Sequence, residues 1–155
     1  INLGGRDVEQ SIELLLNGIQ MRKLYEKLIE PLQKEYGLRK IDMKLLYYLS
    51  KWDEKHNTAK DLNRLRMFTK GHISQSIHRM KEQKLVWILQ DQEDRRYEHI
   101  LLTEKAIGIV QELDKIHERI RSITFQGISE EEIRFMVQIA KKINGNIEDS
   151  LNKYL

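Results

Sequence analysis

The sequence predicts a mainly α-helical fold that contains one small two-stranded β-sheet. Apolar residues recur at spacings of three and four along most of the 155 residues, which is the period of an amphipathic helix. The period changes once, between residues 86 and 102, where two runs of β-branched and aromatic residues flank a charged loop. The sequence contains no Cys, which excludes a disulfide framework, a thiol nucleophile and a thiol redox sensor.

The first two predicted helices are amphipathic. The first carries an apolar face up to Pro31, and Gly37 then marks a break; that face contains Val8, Ile12, Leu15, Ile19, Leu24, Leu28 and Ile29. The second helix is predicted from about Ile41 to Trp52. Its apolar side is expected to consist of Ile41, Leu45, Tyr48, Leu49 and Trp52.

Two shorter helices are predicted after a polar connection at residues 53–57. Thr58 is suited to cap the first of them, because a threonine hydroxyl accepts a hydrogen bond from an N–H of the first turn. Thr69 is suited to cap the second, whose buried face is predicted to be Ile73, Ile77 and Met80. The two short helices together predict a helix-turn-helix.

The β-hairpin and two long helices complete the prediction. The strands are Val86–Gln90 and Tyr97–Leu102, and Thr103 caps the helix that follows them. Gly127 interrupts that helix, and Ser129 with Glu132 forms a capping box for the last one. The apolar stripes of these helices are Ile107, Val110, Leu113, Ile116, Ile120 and Ile123, then Ile133, Met136, Ala140, Ile143, Ile147, Leu151 and Tyr154.

Positive charge is concentrated on residues 60–89. This segment holds seven Lys or Arg and two acids, a balance of +5, whereas the whole chain carries +3. The remainder of the chain therefore sums to −2. A positive field confined to the helix-turn-helix and the first strand is typical of a surface that binds nucleic acid.

The helix capped by Thr69 offers polar groups that suit duplex DNA. With Ile73 at the centre of the buried face, Gln75 falls on the opposite side, and His72 and Arg79 flank it. Gln75 is suited to pair with adenine, and His72 to donate to guanine or phosphate. The predicted DNA contacts from this helix are Thr69, Lys70, His72, Ser74, Gln75 and Arg79. The competing interpretation is an ordinary solvated face.

The order of elements resembles the MarR-type transcriptional regulators over nearly the whole chain. The recognition-helix pattern of that family is similar to residues 69–80, and its wing motif, two acids three apart and then a basic pair, to residues 91–96. The Leu-Thr-Glu-Lys run at the start of the next helix is present at residues 102–105. The chain departs from the family pattern at Lys84 and Ala106, where glycine is usual, and at Ile88, where a basic residue is usual.

The resemblance implies a winged helix-turn-helix that regulates transcription. The DNA-binding lobe would comprise residues 38–102, with Asp94 supporting the wing, Arg96 entering the minor groove and Arg95 contacting phosphate. A winged-helix module that binds RNA or protein is the alternative from a different class. The implied action is repression, by a homodimer on a pseudo-palindromic operator.

The terminal helices, at residues 1–36 and 103–155, are predicted to form the dimerisation region of a single 155-residue domain. Their apolar stripes exceed what a small winged-helix core can cover, so a monomer would leave them exposed. A two-fold dimer would bury them and would place two recognition helices about 34 Å apart, one turn of DNA. The residues predicted for this contact are Ile12, Leu15, Ile19, Ile143, Ile147 and Leu151.

Two small-ligand sites are also considered. The resemblance implies a pocket for a small organic effector, and Tyr25, Tyr48 and Trp52 are the candidates to line it. Residues 114, 117 and 118 have metal-compatible spacing, which leaves a zinc-responsive regulator as an alternative. A solvated helix face is the favoured interpretation of these three residues. Neither a metal nor a cofactor is therefore expected.

Other classes of protein are excluded by what the sequence lacks. No apolar run approaches the roughly 20 residues of a membrane span, so no membrane partner is expected and the protein is predicted to be cytoplasmic. No metalloprotease helix, phosphate-binding glycine loop or nucleophile turn is present, so an enzyme is not predicted. The chain begins at Ile1 rather than Met, and we expect that its extreme N-terminus is missing.

Overall fold

The structure, a computed structural model, describes residue 15, residues 18–53 and residues 56–154. Its elements are α1 (Ile19–Tyr36), α2 (Lys40–Lys51), α3 (Ala59–Arg64), α4 (Lys70–Glu82), β1 (Val86–Gln90), β2 (Glu98–Leu102), α5 (Glu104–Thr124) and α6 (Glu130–Asn152). The prediction of a mainly helical fold with a two-stranded wing is therefore confirmed. Val8 and Ile12, predicted for the first helix, lie outside the described residues.

Helix α1 continues beyond Pro31, where the predicted apolar face ended. Pro31 has no N–H to donate to the carbonyl four residues earlier, so the helix loses one hydrogen bond there. Ile29 and Leu32, on either side of the proline, are both buried, and their packing holds the helix together across it. Gly37 ends the helix in the left-handed conformation, with φ of 63°, and its N–H donates to the carbonyl of Gln33.

Helix α2 lies within one residue of its predicted bounds, but its buried face differs from the prediction. Met43 and Leu46 are fully buried, whereas Tyr48 and Trp52 are only half-buried. The reason is that α2 contacts both α4 and β2, so more of its circumference is covered than a one-sided amphipathic pattern indicates. Asp42 is also buried on this helix.

The helix-turn-helix and the wing begin and end largely where the sequence predicts. The hydroxyls of Thr58 and Thr69 cap α3 and α4 by accepting the N–H groups of Asp61 and His72. On α4 it is Ser76, rather than Ile77, that is fully buried beside Ile73 and Met80. The strands pair antiparallel from Val86 opposite Leu102 to Gln90 opposite Glu98, so β2 starts one residue later than predicted.

A single apolar core underlies these elements. It draws residues from α1, α2, α3, α4, the wing and α5, so α4 and the wing pack on the same core. Its members are Ile29, Leu32, Leu38, Met43, Leu45, Leu46, Leu49, Leu62, Ile73, Met80, Leu85, Val86, Ile100, Ala106, Ile109, Val110 and Leu113.

The chain divides into two compact units, the first ending at Ile120 and the second comprising Arg121–Leu155. In the second unit Gly127, with φ of 77°, precedes α6, and the predicted capping box of Ser129 and Glu132 is confirmed. No residue of α6 is buried. The exposed apolar residues of this unit are Ile123, Ile128, Phe135, Met136, Val137, Ile139, Ile143, Ile147, Leu151 and Tyr154, the last lying beyond the helix. That residues 1–155 form a single domain stays a prediction.

None of the helices in the described ranges combines the length and the apolar character that crossing a membrane requires.

Candidate nucleic-acid interface

The first turns of α4 present polar side chains to solvent. Lys70, His72, Ser74 and Gln75 are all exposed, while the opposite side of the helix packs into the core through Ile73 and Met80. A Cβ placed on Gly71 would meet only the Thr69 hydroxyl, at 4.0 Å, so packing within the chain does not demand a glycine there. Because Gly71 has no side chain, another molecule can approach the backbone of α4 closely beside Gln75.

Arg79, the last predicted contact on α4, is engaged inside the lobe. Its Nη2 donates to Oδ1 of the buried Asp42 at 2.7 Å, and its side chain is only 23% exposed. Asp42 also accepts the Ser76 hydroxyl and, at 2.8 Å, the backbone N–H of Arg39. This carboxylate therefore joins α2 to α4 and restrains Arg79. Contact of Arg79 with DNA stays a prediction.

The wing tip brings Asp94 and Arg96 together. Arg96 donates from Nε to Oδ1 at 2.9 Å and from Nη2 to Oδ2 at 2.7 Å, a two-pronged ion pair. The arginine lowers the pKa of Asp94, and the carboxylate raises the pKa of Arg96. With a side chain 84% exposed, Arg96 is a cation held in a defined position at the end of the hairpin. Arg95 beside it is also exposed.

The wing is joined to the helix-turn-helix by His99, which pairs with Leu89 near the loop end of β2. Its Nδ1 lies 2.5 Å from Oδ1 of Asn57, and its Nε2 lies 2.8 Å from Oδ2 of Asp91. Asp91 accepts the backbone N–H groups of Asp94 and Glu93 as well, and these bonds together with His99 lower its pKa to about 2. No local pattern in the sequence predicts the contacts of His99, because Asn57 lies 42 residues away from it and Asp91 eight residues away.

An aromatic pocket of about 390 Å³ lies between α1, α2 and α5. Tyr25 and Tyr48, both predicted for the effector site, line it, but Trp52 does not; Trp52 borders a separate depression beside α3. The wall includes Gly18, Met21, Arg22, Lys44, Tyr47 and His117 as well. Burial raises the pKa of Tyr25, which keeps its hydroxyl protonated.

The three residues with metal-compatible spacing on α5 do not converge. Asp114 pairs with Lys51 at 3.1 Å, and the ring of His117 stacks on Tyr25 with 5.8 Å between centroids. Within the described part of the chain, no three His, Asp or Glu side chains are grouped to hold a metal ion.

A protein-family model matches residues 27–113, more than half of the chain. That model describes the transcriptional regulators SarA/Rot. The matched range begins in α1 and ends in α5, so it contains the whole helix-turn-helix and wing.

Solved winged-helix structures are similar to the chain over most of its length. FabT from Streptococcus pneumoniae, solved in complex with DNA, is 22% identical with a TM-score of 0.73, over 91% of this chain and 98% of that one. MepR from S. aureus, also solved with DNA, is 19% identical with a TM-score of 0.72, over 85% and 94%. A MarR protein from Peptoclostridium difficile is 17% identical with a TM-score of 0.69, over 100% and 96%. The predicted resemblance to MarR-type regulators is confirmed at the level of the fold.

Proposed function

Because the chain belongs to the SarA/Rot family of transcriptional regulators, we propose that it is a repressor that binds a specific duplex operator and occludes the promoter. Membership of this family also confirms that it is not an enzyme. The observation that carries the proposal is the pairing of two exposed elements on one core, the polar first turns of α4 and the wing with Arg96 at its tip. The FabT and MepR structures with DNA support duplex DNA as the partner. Such a regulator would act in the cytoplasm.

The two elements read DNA in different ways. Helix α4 enters the major groove, where Gln75 pairs with the N6 and N7 groups of adenine. The N–H groups and side chains at its start, with Lys70 and Ser74 among them, hold phosphates. Arg96 enters the narrow minor groove, where phosphates on both walls deepen the negative potential, and Arg95 contacts the backbone.

The working form is a homodimer. In the described residues of a single chain, α6 buries none of its apolar side chains: Ile143 is 36% exposed, Ile147 53% and Leu151 59%. Leu15 and Ile19, predicted for the same contact, are 72% and 40% exposed. A two-fold partner would cover such stripes and would supply the second recognition helix of a pseudo-palindromic site.

The aromatic pocket is the proposed effector site. Tyrosine faces suit a flat organic molecule, and Arg22 and Lys44 in its wall suit a carboxylate on that molecule. An aromatic carboxylate such as benzoate should therefore release the operator at millimolar concentration. The double variant Arg22→Ala with Lys44→Ala should still bind operator but resist that release, and equal release from both proteins would contradict the assignment.

The main test compares two variants on selected operator and scrambled duplex over a range of salt concentration. Gln75→Ala should lose roughly 1–3 kcal/mol on the operator alone, because it removes a base contact. Arg96→Ala should weaken binding to both duplexes and make the salt slope shallower by about one counterion per wing. Arg119→Ala, an exposed arginine on α5, is the matched control and should change neither quantity.

The alternative classes make different predictions in the same titration. If Gln75→Ala and Arg96→Ala both bind like the unmodified protein, neither element touches DNA, and a winged helix that binds RNA or protein is the better interpretation. A zinc-responsive regulator would lose operator affinity when a chelator is added, whereas the proposed repressor would not.

A further inference from the structure

We propose that His99 is a positioning residue for DNA binding, which links the start of α3 to Arg96 at the wing tip through a continuous series of hydrogen bonds. The inference rests on the proposed function, since it concerns how Arg96 is presented to DNA. It differs from the wing support predicted for Asp94, because it begins in the core rather than at the tip.

The series starts where the segment before α3 meets β2. Asn57, only 4% exposed, lies just before the Thr58 cap of α3, and its carbonyl accepts the N–H of Ile100 at 2.9 Å. Thr58 forms an isolated antiparallel bridge with His99, so this short segment pairs with β2 as an added strand position. The His99 ring then meets the Asn57 side chain at 2.5 Å. An amide offers both an acceptor and donors, so it satisfies Nδ1 whether or not that nitrogen carries a proton.

The second ring nitrogen carries the series into the wing loop. Nε2 of His99 lies 2.8 Å from Oδ2 of Asp91, and because an ionised carboxylate only accepts, the imidazole donates. The other oxygen of Asp91 accepts the N–H of Glu93 at 2.8 Å and that of Asp94 at 2.7 Å. These two bonds fix the backbone of the turn from which Asp94 projects.

Asp94 completes the series by holding Arg96 with both carboxylate oxygens. Side-chain exposure rises along the way, from 20% for His99 to 30% for Asp91, 33% for Asp94 and 84% for Arg96. The orientation of the exposed Arg96 side chain therefore depends, through these hydrogen bonds, on Asn57 at the edge of the core.

This arrangement matters because an isolated two-stranded ribbon is marginally stable and an arginine has many rotamers. If the wing and the Arg96 side chain become ordered only on binding, the conformational entropy that they lose opposes association. Hydrogen bonds that restrain them in the free protein reduce this loss. His99 therefore contributes to affinity only through Arg96. Its contribution should disappear when Arg96 is absent.

A double-mutant cycle tests this coupling directly. We expect His99→Leu to weaken operator binding by about threefold or more in the unmodified protein, and by less than about 1.5-fold in an Arg96→Ala background. It should also flatten the salt dependence as Arg96→Ala does, which a loss of stability alone would not do. Asp91→Asn changes the carboxylate that His99 contacts in the wing loop, and it should have the same effects on affinity and salt dependence. It replaces His99→Leu in the cycle if that variant folds poorly.

His56→Leu is the matched control. Its imidazole also contacts an aspartate, Asp53 at 2.7 Å, but within the loop that precedes α3 and without a bond to the wing. It should leave affinity and salt dependence unchanged. Equal weakening by His99→Leu in both backgrounds, or no weakening at all, would overturn the inference while leaving the proposed function intact. An Arg96→Ala variant that binds like the unmodified protein would remove the wing contact and this inference with it. The proposed function would fail only if Gln75→Ala also bound like the unmodified protein.

Discussion

The buried carboxylate of Asp42 joins α4 to α2. It is 1% exposed, and its two oxygens receive donors from the start of α2 and from two side chains of α4, Ser76 and Arg79. A buried carboxylate with this many donors is stabilised, and its loss would leave Arg79 without its partner. The ion pair therefore specifies how α4 packs on α2.

Replacement of Asp42 should destabilise the lobe. Asp42→Ala should lower the free energy of unfolding by roughly 2–3 kcal/mol, because it leaves the partly buried Arg79 and the hydroxyl of Ser76 unpaired. Asp42→Asn, which keeps one acceptor, should lose less. Urea denaturation measures both. The control is Glu82→Ala, which removes an exposed carboxylate 3.4 Å from His78; if Asp42→Ala is no more destabilising than this control, the buried pair does not hold α4.

Among the elements, α4 has an unusual end. Lys84 follows it with φ of 57°, in the left-handed region, so that the N–H of Leu85 reaches the carbonyl of Met80 at 2.8 Å. This is the position at which glycine is usual in MarR-type proteins. A side chain with a Cβ disfavours that conformation, whereas glycine adopts it readily.

Lys84→Gly should therefore stabilise the protein. The relief of backbone strain exceeds the extra freedom that glycine gives the unfolded chain, and the expected gain is about 0.5–1 kcal/mol. Lys81→Gly, three residues earlier within the helix, should have the opposite sign and lose about 1 kcal/mol. Thermal unfolding compares the two, and a loss of stability in Lys84→Gly would show that the lysine side chain itself is needed there.

The wing carries a pH-dependent contribution through Asp91. Its pKa in the folded protein is about 2, below the ordinary value of 3.8, so its ionised form stabilises the fold at any pH above 3.8. That contribution is lost as the pH falls through 3.8 toward 2. Asp91→Asn should therefore show a weaker dependence of unfolding free energy on pH across this range. Parallel curves for the two proteins, measured by urea denaturation at each pH, would rule out the assigned hydrogen bonds.

At the scale of the whole molecule, the most consequential surface is the uncovered apolar stripe of α6. Its exposed members recur along the helix at residues 136, 139, 143, 147 and 151, on one side. An apolar surface of this length is typical of a helix that packs against a partner. We expect that partner to be a second copy of the chain, since two half-sites require two recognition helices.

Charges on this stripe should abolish assembly. Ile143→Glu with Ile147→Glu should give monomers or aggregates in sedimentation and should lose operator binding, because one half-site alone supplies too little binding energy. Gln138→Glu with Asn152→Glu adds the same charge to the opposite side of α6 and should remain dimeric. An unmodified protein that sediments as a monomer at micromolar concentration would contradict the dimer.

Local signals in the sequence determined most of the architecture. The caps at Thr58, Thr69 and Ser129 and the pair Asp94 with Arg96 depend on residues two to four apart, and the wing strands are continuous runs of β-branched and aromatic residues. Neighbouring positions of the sequence therefore reveal them. Only the tertiary structure decided that Asp42 would meet Arg79, 37 residues away, and that His99 would meet Asn57, 42 residues away. It also decided that α1 would continue through Pro31, where core packing outweighs the missing hydrogen bond. The physical reason is that burial and side-chain pairing depend on which elements pack together in the core. The spacing of residues within one segment does not show which other segment it will contact.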